Sequence, residues 1–177
     1  FPADTFLAWS EAEFRSFIEM YREFRLPFWM QTRPETLTDE NTAQLKEVGC
    51  HRVSLGIEHG NEKFRREVVN RRISNEELIR RTNITGRQIP VSVNNVTGFP
   101  TETRDLAFDT IRLNRELEVD TMNCYTFMPY HGTPLRAMAV ELGYLDPDTV
   151  TCSLTAGSVL NMPQYPPSES HGIVRCF

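Results

Sequence analysis

Cysteine is scarce in this 177-residue chain, and Cys50, Cys124, Cys152 and Cys176 lie 74, 28 and 24 residues apart. There is no CxxC, no CxxxCxxC and no dense disulfide pattern, which excludes a locally ligated metal cluster and a stapled secreted scaffold. His51, His59, His131 and His171 likewise lack HxxxH or a similar metal-ligand spacing. No apolar run approaches the roughly 18 residues of a membrane helix. The opening FPADTFLAWSEAEF has no basic segment followed by a hydrophobic one, so secretion is disfavoured. A cytoplasmic protein with reduced thiols is expected. Neither sign of charge dominates: 19 basic side chains face 24 acidic ones, which argues against a generally polycationic surface. With 40% hydrophobic residues the chain can fill the core of one ordinary domain, and wholesale disorder is disfavoured. An initiating Met is also missing, and PPSESHGIVRCF starts a helix, capped at Ser168 or Ser170, that stops within a few turns. Both ends read as cuts in something larger.

What is present alternates between helix and strand. Ser10 and Glu13 form a capping-box pattern ahead of Phe14, Phe17, Ile18, Tyr21 and Phe24 at helical spacing, predicting an amphipathic helix over about 10–25 whose aromatic stripe packs in the core. Pro27 ends it, and PFWMQT follows as a strand. Thr38 can cap a helix through Ala43, Leu45 and Val48, with Gly49 placed for the left-handed turn that ends helices. HRVSLGIE reads as a buried strand; Asn61 caps a helix through Phe64 and Val68; Ser74 and Glu77 open another that ends at Gly86. IPVSVNNVTG is the next strand, a helix is expected over about 102–117, DTMNCYTF is a further strand, and Thr133 with Pro134 starts the last clear helix.

Strands near 28, 51, 91 and 121, each followed by helix, make successive βα units to about residue 145. They predict a parallel sheet, as a barrel or an open sheet, within a single domain whose residues 146–177 form an extension. Sites in such sheets form at the C-terminal strand ends, which selects Arg33, Glu58, Asn94 to Gly98 and Phe127 to His131. Glu58, between Gly56 and Gly60, offers a carboxylate to ribose hydroxyls or a ligand amine, or else a capping charge to the next helix. In NNVTGFPTET, Gly98 permits close approach to the backbone and Glu102 falls in the first turn of a helix; a plain strand-to-helix turn explains the pattern equally. Tyr130 in FMPYHGTPL either stacks on a ligand or wedges the turn against the core. From Lys63 to Arg87 there are eight basic residues and three acids, a local excess without interleaved aromatics, so nucleic-acid binding is disfavoured.

Taken in order, ADTF, QTRPETLTDE, LKEVGCHRVSLGIEHGNE, VVNRRIS, VTGFPTET and PYHGTPL, over about residues 3–135, resemble the radical S-adenosylmethionine (radical SAM) superfamily. They look most like the branch associated with cobalamin-binding domains, which includes anaerobic Mg-protoporphyrin monomethyl ester cyclase-like enzymes, Fe–S oxidoreductases and methyltransferases. The resemblance implies an α/β fold: a partial (β/α)6 barrel, truncated so that the first strand and cluster loop are missing. It also implies S-adenosylmethionine and a [4Fe–4S] cluster in the parent enzyme, cobalamin through an upstream domain, an electron donor such as flavodoxin or ferredoxin, and an unidentified small-molecule substrate. The cofactor carries such chemistry; the protein orients it.

Carried over by motif, Asp4 resembles an acidic position near the SAM amino group, with Ala3 replacing a first acid found there in the branch. Glu58 in GIE matches a SAM-contacting position, and Arg71 in VVNR resembles an arginine facing the SAM carboxylate, a suitable use of its planar fork. Asn94 matches a polar position near the ribose, Gly98 to Glu102 the segment supporting adenine, and Tyr130 the turn after the last strand. The family's CxxxCxxC would precede Phe1, so this polypeptide alone is expected to bind no cofactor tightly and to be inactive. The alternatives are a non-catalytic nucleotide- or partner-binding module, or an RNA-modifying radical SAM enzyme. A sheet edge left open beside the missing strand is expected to make the chain self-associate.

Overall fold

The computed structural model describes residues 4–151, 153 and 157–177. Ala3 and Cys152, on which two readings above rest, lie outside the described residues. Four parallel strands, β1 (Phe28–Thr32), β2 (Cys50–Glu58), β3 (Val91–Thr97) and β4 (Thr121–Thr126), lie in the order β1-β2-β3-β4. Helix α1 (Glu11–Phe24) precedes β1, and α2 (Asp39–Glu47), α3 (Glu62–Glu67), α4 (Asn75–Gly86), α5 (Arg104–Asn114), α6 (Pro134–Glu141) and α7 (Pro167–Val174) connect or follow the strands. The chain forms two compact units. The first comprises Phe1–Ile57, Ile73–Asn94 and Glu116–Met122; the second comprises Glu58–Arg72, Asn95–Arg115 and Asn123–Phe177.

In the first unit, local hydrogen bonds set the helix starts. The Ser10 backbone N–H donates to Glu13 Oε2 (2.8 Å) and the Glu13 N–H to Ser10 Oγ (3.3 Å), closing the capping box. Thr38 makes the same reciprocal pair with Asn41 (2.8 and 3.1 Å). Phe17 and Ile18 are buried on the α1 stripe, with Phe17 packed on Phe6 and Phe28, but Phe24 is 58% exposed. It is the last helical residue, and its ring contact is with Tyr21 at 6.3 Å, so the apolar face runs one turn past the core it covers. On α2 the inward positions are Thr42, Leu45 and Val48; Ala43 is exposed, because three-residue spacing places Thr42 on the buried face. Gly49 adopts φ +105°, as a left-handed helix end requires. Gly86 is the last residue of α4, yet it is not left-handed; a Cβ there would meet the Glu118 carbonyl oxygen at 2.2 Å, so close approach demands glycine.

In the second unit the helix expected over 102–117 is shorter, since Thr103 caps α5 and Glu102 lies before the cap instead of in the first turn. Helix α7 begins at Pro167 behind Pro166, and neither Ser168 nor Ser170 caps it. Proline at the first helical position lacks only an N–H that would be unpaired there anyway. Leu160, Met162, Tyr165 and Ile173, in the segment expected to be an extension, are buried in a core with Phe64, Phe99 and Phe127. Among the described residues no helix is long and apolar enough to cross a membrane.

Candidate functional site

The second unit carries the groups that gather at a strand end. Glu58 is the last residue of β2 and adopts φ +69°, a left-handed conformation that turns the chain sharply as the strand ends. Asn61, three residues on, caps α3 by accepting from the Phe64 N–H at 2.9 Å, so Glu58 does not serve as that cap. The Arg71 guanidinium lies 3.8 Å from Glu58 Oε1, with both side chains more than half buried. Glu58 and Tyr130 line one open cavity of about 280 Å³ with Val69, Val96, Phe99 and Met128. This is at the lower edge of the roughly 300–1,000 Å³ typical of small-molecule sites. Tyr130 is 51% exposed, so its ring does not wedge the turn into the core. Thr133 holds that turn by donating from its hydroxyl to the Tyr130 carbonyl at 2.8 Å.

Gly98 follows β3 with φ +86°; an added Cβ would meet nothing nearer than Thr126 Cγ2 at 3.6 Å, so conformation and not crowding selects glycine. The remaining two predicted residues belong to the first unit. Asn94 lies inside β3, three residues before its end, where its amide donates to Ser54 Oγ at 2.9 Å. Asp4 is exposed in a turn before α1.

Sequence reading missed a buried polar cluster beside the cavity. His59, Arg65 and Glu102 are all fully buried in the second unit, and the Arg65 guanidinium donates to the His59 carbonyl at 2.6 Å. The available signal was weak: an Arg within a basic run and an acid near a helix start ordinarily face solvent.

Parallel βα units with an acidic strand end on an apolar cavity define an α/β chain of the partial-barrel kind. Residues 3–114 match the Radical SAM superfamily, and the chain belongs to that superfamily. It is similar in fold to coproporphyrinogen III oxidase (HemN) from Escherichia coli, a radical SAM enzyme, with TM-score 0.66 and 18% identity over 95% of this chain and 36% of that one. The radical SAM methyltransferase TsrM from Kitasatospora setae, solved with tryptophan and a SAM analogue, superimposes with TM-score 0.64 and 18% identity over 77% of this chain and 28% of that one. TsrM has also been solved with cobalamin and a [4Fe–4S] cluster. A tRNA-2-methylthio-N(6)-dimethylallyladenosine synthase from Halalkalibacterium halodurans is 30% identical over 89 residues, 49% of this chain. The chain covers 16% of that relative's length.

The superfamily implies SAM and a [4Fe–4S] cluster. The cluster does not fit the described residues: no three His, Cys, Asp or Glu among them are placed to hold a metal ion. Burial also pushes the Cys50 thiol up to about 11 and the Cys124 thiol up to about 12, which disfavours the thiolate a metal needs. The cavity beside Glu58 pairs apolar walls with one carboxylate, the chemistry a nucleoside would need.

Proposed function

We propose that this chain forms the nucleoside-binding part of a radical SAM enzyme, in which Glu58 accepts hydrogen bonds from the ribose hydroxyls and the apolar cavity takes the base. The observation that carries this reading is Glu58 turning at the end of β2 onto a cavity it shares with Tyr130. Arg71, already beside Glu58, would offer its fork to the SAM carboxylate. Gly98 would support the adenine side and Tyr130 would cover it. For Asp4 and Asn94, contacts with the SAM amino group and ribose rest on motif resemblance. When bound to a reduced cluster supplied from outside the described residues, SAM furnishes hydrogen-abstraction chemistry.

Titration with S-adenosylhomocysteine tests the reading without a cluster. Weak binding is expected to fall at least about tenfold in Glu58→Gln, because hydrogen bonds to a charged acceptor are worth about 1.5–3 kcal/mol and 1.4 kcal/mol is tenfold. Unchanged affinity in Glu58→Gln overturns the assignment, and tight binding by the chain alone supports a cluster-independent binding module instead.

The tRNA-modifying relative raises an RNA substrate, but the basic run is largely committed within the protein. Arg65 is buried, Arg80 and Arg81 bind Glu77, and Arg87 binds Glu118. We favour a small-molecule substrate.

Self-association through β1 is also proposed. It is an edge strand carrying Trp29, which is 48% exposed; the Phe6 N–H takes one outward carbonyl, that of Gln31 (2.8 Å), which leaves the Trp29 end for pairing. Light scattering is expected to show dimers or larger species that Trp29→Lys disperses, since a charged edge opposes strand pairing. A wild-type monomer at every concentration would refute this.

A further inference from the structure

Glu102 is fully buried and surrounded by donors. Its Oε2 accepts from the Gly98 and Phe99 backbone N–H groups at 2.6 and 2.9 Å, and its Oε1 accepts from the Thr97 hydroxyl at 3.2 Å. His59 Nε2 also lies 3.2 Å from Oε1. At the other ring nitrogen, His59 Nδ1 accepts from the Asn61 N–H at 3.0 Å, which leaves Nε2 to carry the ring proton. Tyr165 extends the chain of donors: its hydroxyl lies 2.8 Å from that of Thr97, which donates onward to Glu102. Every group in contact with the carboxylate is thus oriented to give it a hydrogen. Phe99, whose amide is one of these donors, forms part of the cavity wall beside Glu58 and packs on Phe127 at 5.1 Å between ring centroids.

We propose that His59 and Glu102 are a buried positioning pair, in which the neutral Nε2–H tautomer of His59 and the Glu102 carboxylate fix the Gly98–Phe99 amides and so set the wall against which the nucleoside packs. Its consequence for binding rests on the function proposed above; its geometry does not. Neither side chain lines the cavity, so the pair acts through Phe99. An anion buried with four donors has few alternative arrangements, and the segment after β3 inherits that rigidity.

Long-range proton–nitrogen NMR on the 15N-labelled chain reads the tautomer directly. The expected result is a neutral His59 ring protonated at Nε2; a proton on Nδ1, or on both nitrogens, overturns the pair. His59→Leu, which removes the donor, is expected to speed amide exchange at Gly98 and Phe99 at least about tenfold and to weaken S-adenosylhomocysteine binding by a similar factor. His59→Gln, which restores an N–H donor, should bring both back to within about threefold of wild type. A folded His59→Leu chain with wild-type exchange at both amides refutes the proposal. If wild type binds no S-adenosylhomocysteine, the nucleoside function falls while the tautomer and exchange still decide the pair. Should His59→Leu fail to fold, the wild-type tautomer and the His59→Gln exchange rates carry the test.

Discussion

Glu102→Leu is expected to destabilise the chain by about 3–5 kcal/mol, because several buried donors lose their acceptor together and each unsatisfied one costs about 1–3 kcal/mol. The loss is large because leucine is close in size but accepts nothing. The Gly98 and Phe99 N–H groups, the Thr97 hydroxyl and His59 Nε2 would all lose their acceptor in a site closed to water. Removing both sides of the pair should cost less than the sum, so His59→Leu with Glu102→Leu is predicted to be non-additive. Urea unfolding of the single and double variants measures this; a shift below about 1 kcal/mol for Glu102→Leu would show that those donors find other partners. The number of contacts is not what matters. Glu77 also binds two guanidinium groups, which hold its carboxyl down at about 2, but about a third of its side chain still meets solvent, and its replacement should cost much less.

That contrast also marks where sequence reading succeeds and fails. Ser10, Thr38, Asn61 and Ser74 are legible as helix caps because each bonds within three residues of itself. The strands are legible because β2 and β3 alternate β-branched and apolar residues with small or polar ones between turn residues. Glu58, Arg71 and Tyr130 were reached through short motifs in order, and the structure brings Glu58 together with each of the other two. Glu102 and His59 were not paired, since 43 residues separate them and each has an ordinary local explanation. An acid at a helix start looks like a dipole partner, and only the inward amides of Gly98 and Phe99 reveal why this one turns away from solvent. The buried segment around Tyr165 was hidden for a related reason. Leu160, Met162 and Tyr165 lie outside regular elements, and core residues in irregular backbone have no period to betray them.

Gly60→Ala is expected to be similarly damaging by a different route. Gly60 lies between His59 and Asn61, and its N–H donates to Thr110 Oγ1 at 2.9 Å. An added Cβ would meet the Asp109 carbonyl oxygen at 2.2 Å and Thr110 Cα at 2.4 Å, both backbone atoms of α5 that cannot rotate aside. Relief requires moving the loop or the helix, and moving the loop disturbs the Asn61 amide that donates to His59 Nδ1 and the Asn61 side chain that donates to Asp109 at 2.8 Å. A cost of about 3 kcal/mol, the upper end of ordinary overpacking, is predicted. Gly172→Ala supplies the opposing case in the same unit. That glycine is inside α7 with nothing within 4 Å of an added Cβ, so alanine should stabilise by about 0.5–1 kcal/mol through helix propensity alone. Denaturant midpoints for the two variants are expected to move in opposite directions. A Gly60→Ala midpoint at or above that of wild type would mean that α5 gives way freely at Asp109 and Thr110, and that the loop carrying His59 is not held by the packing of Gly60.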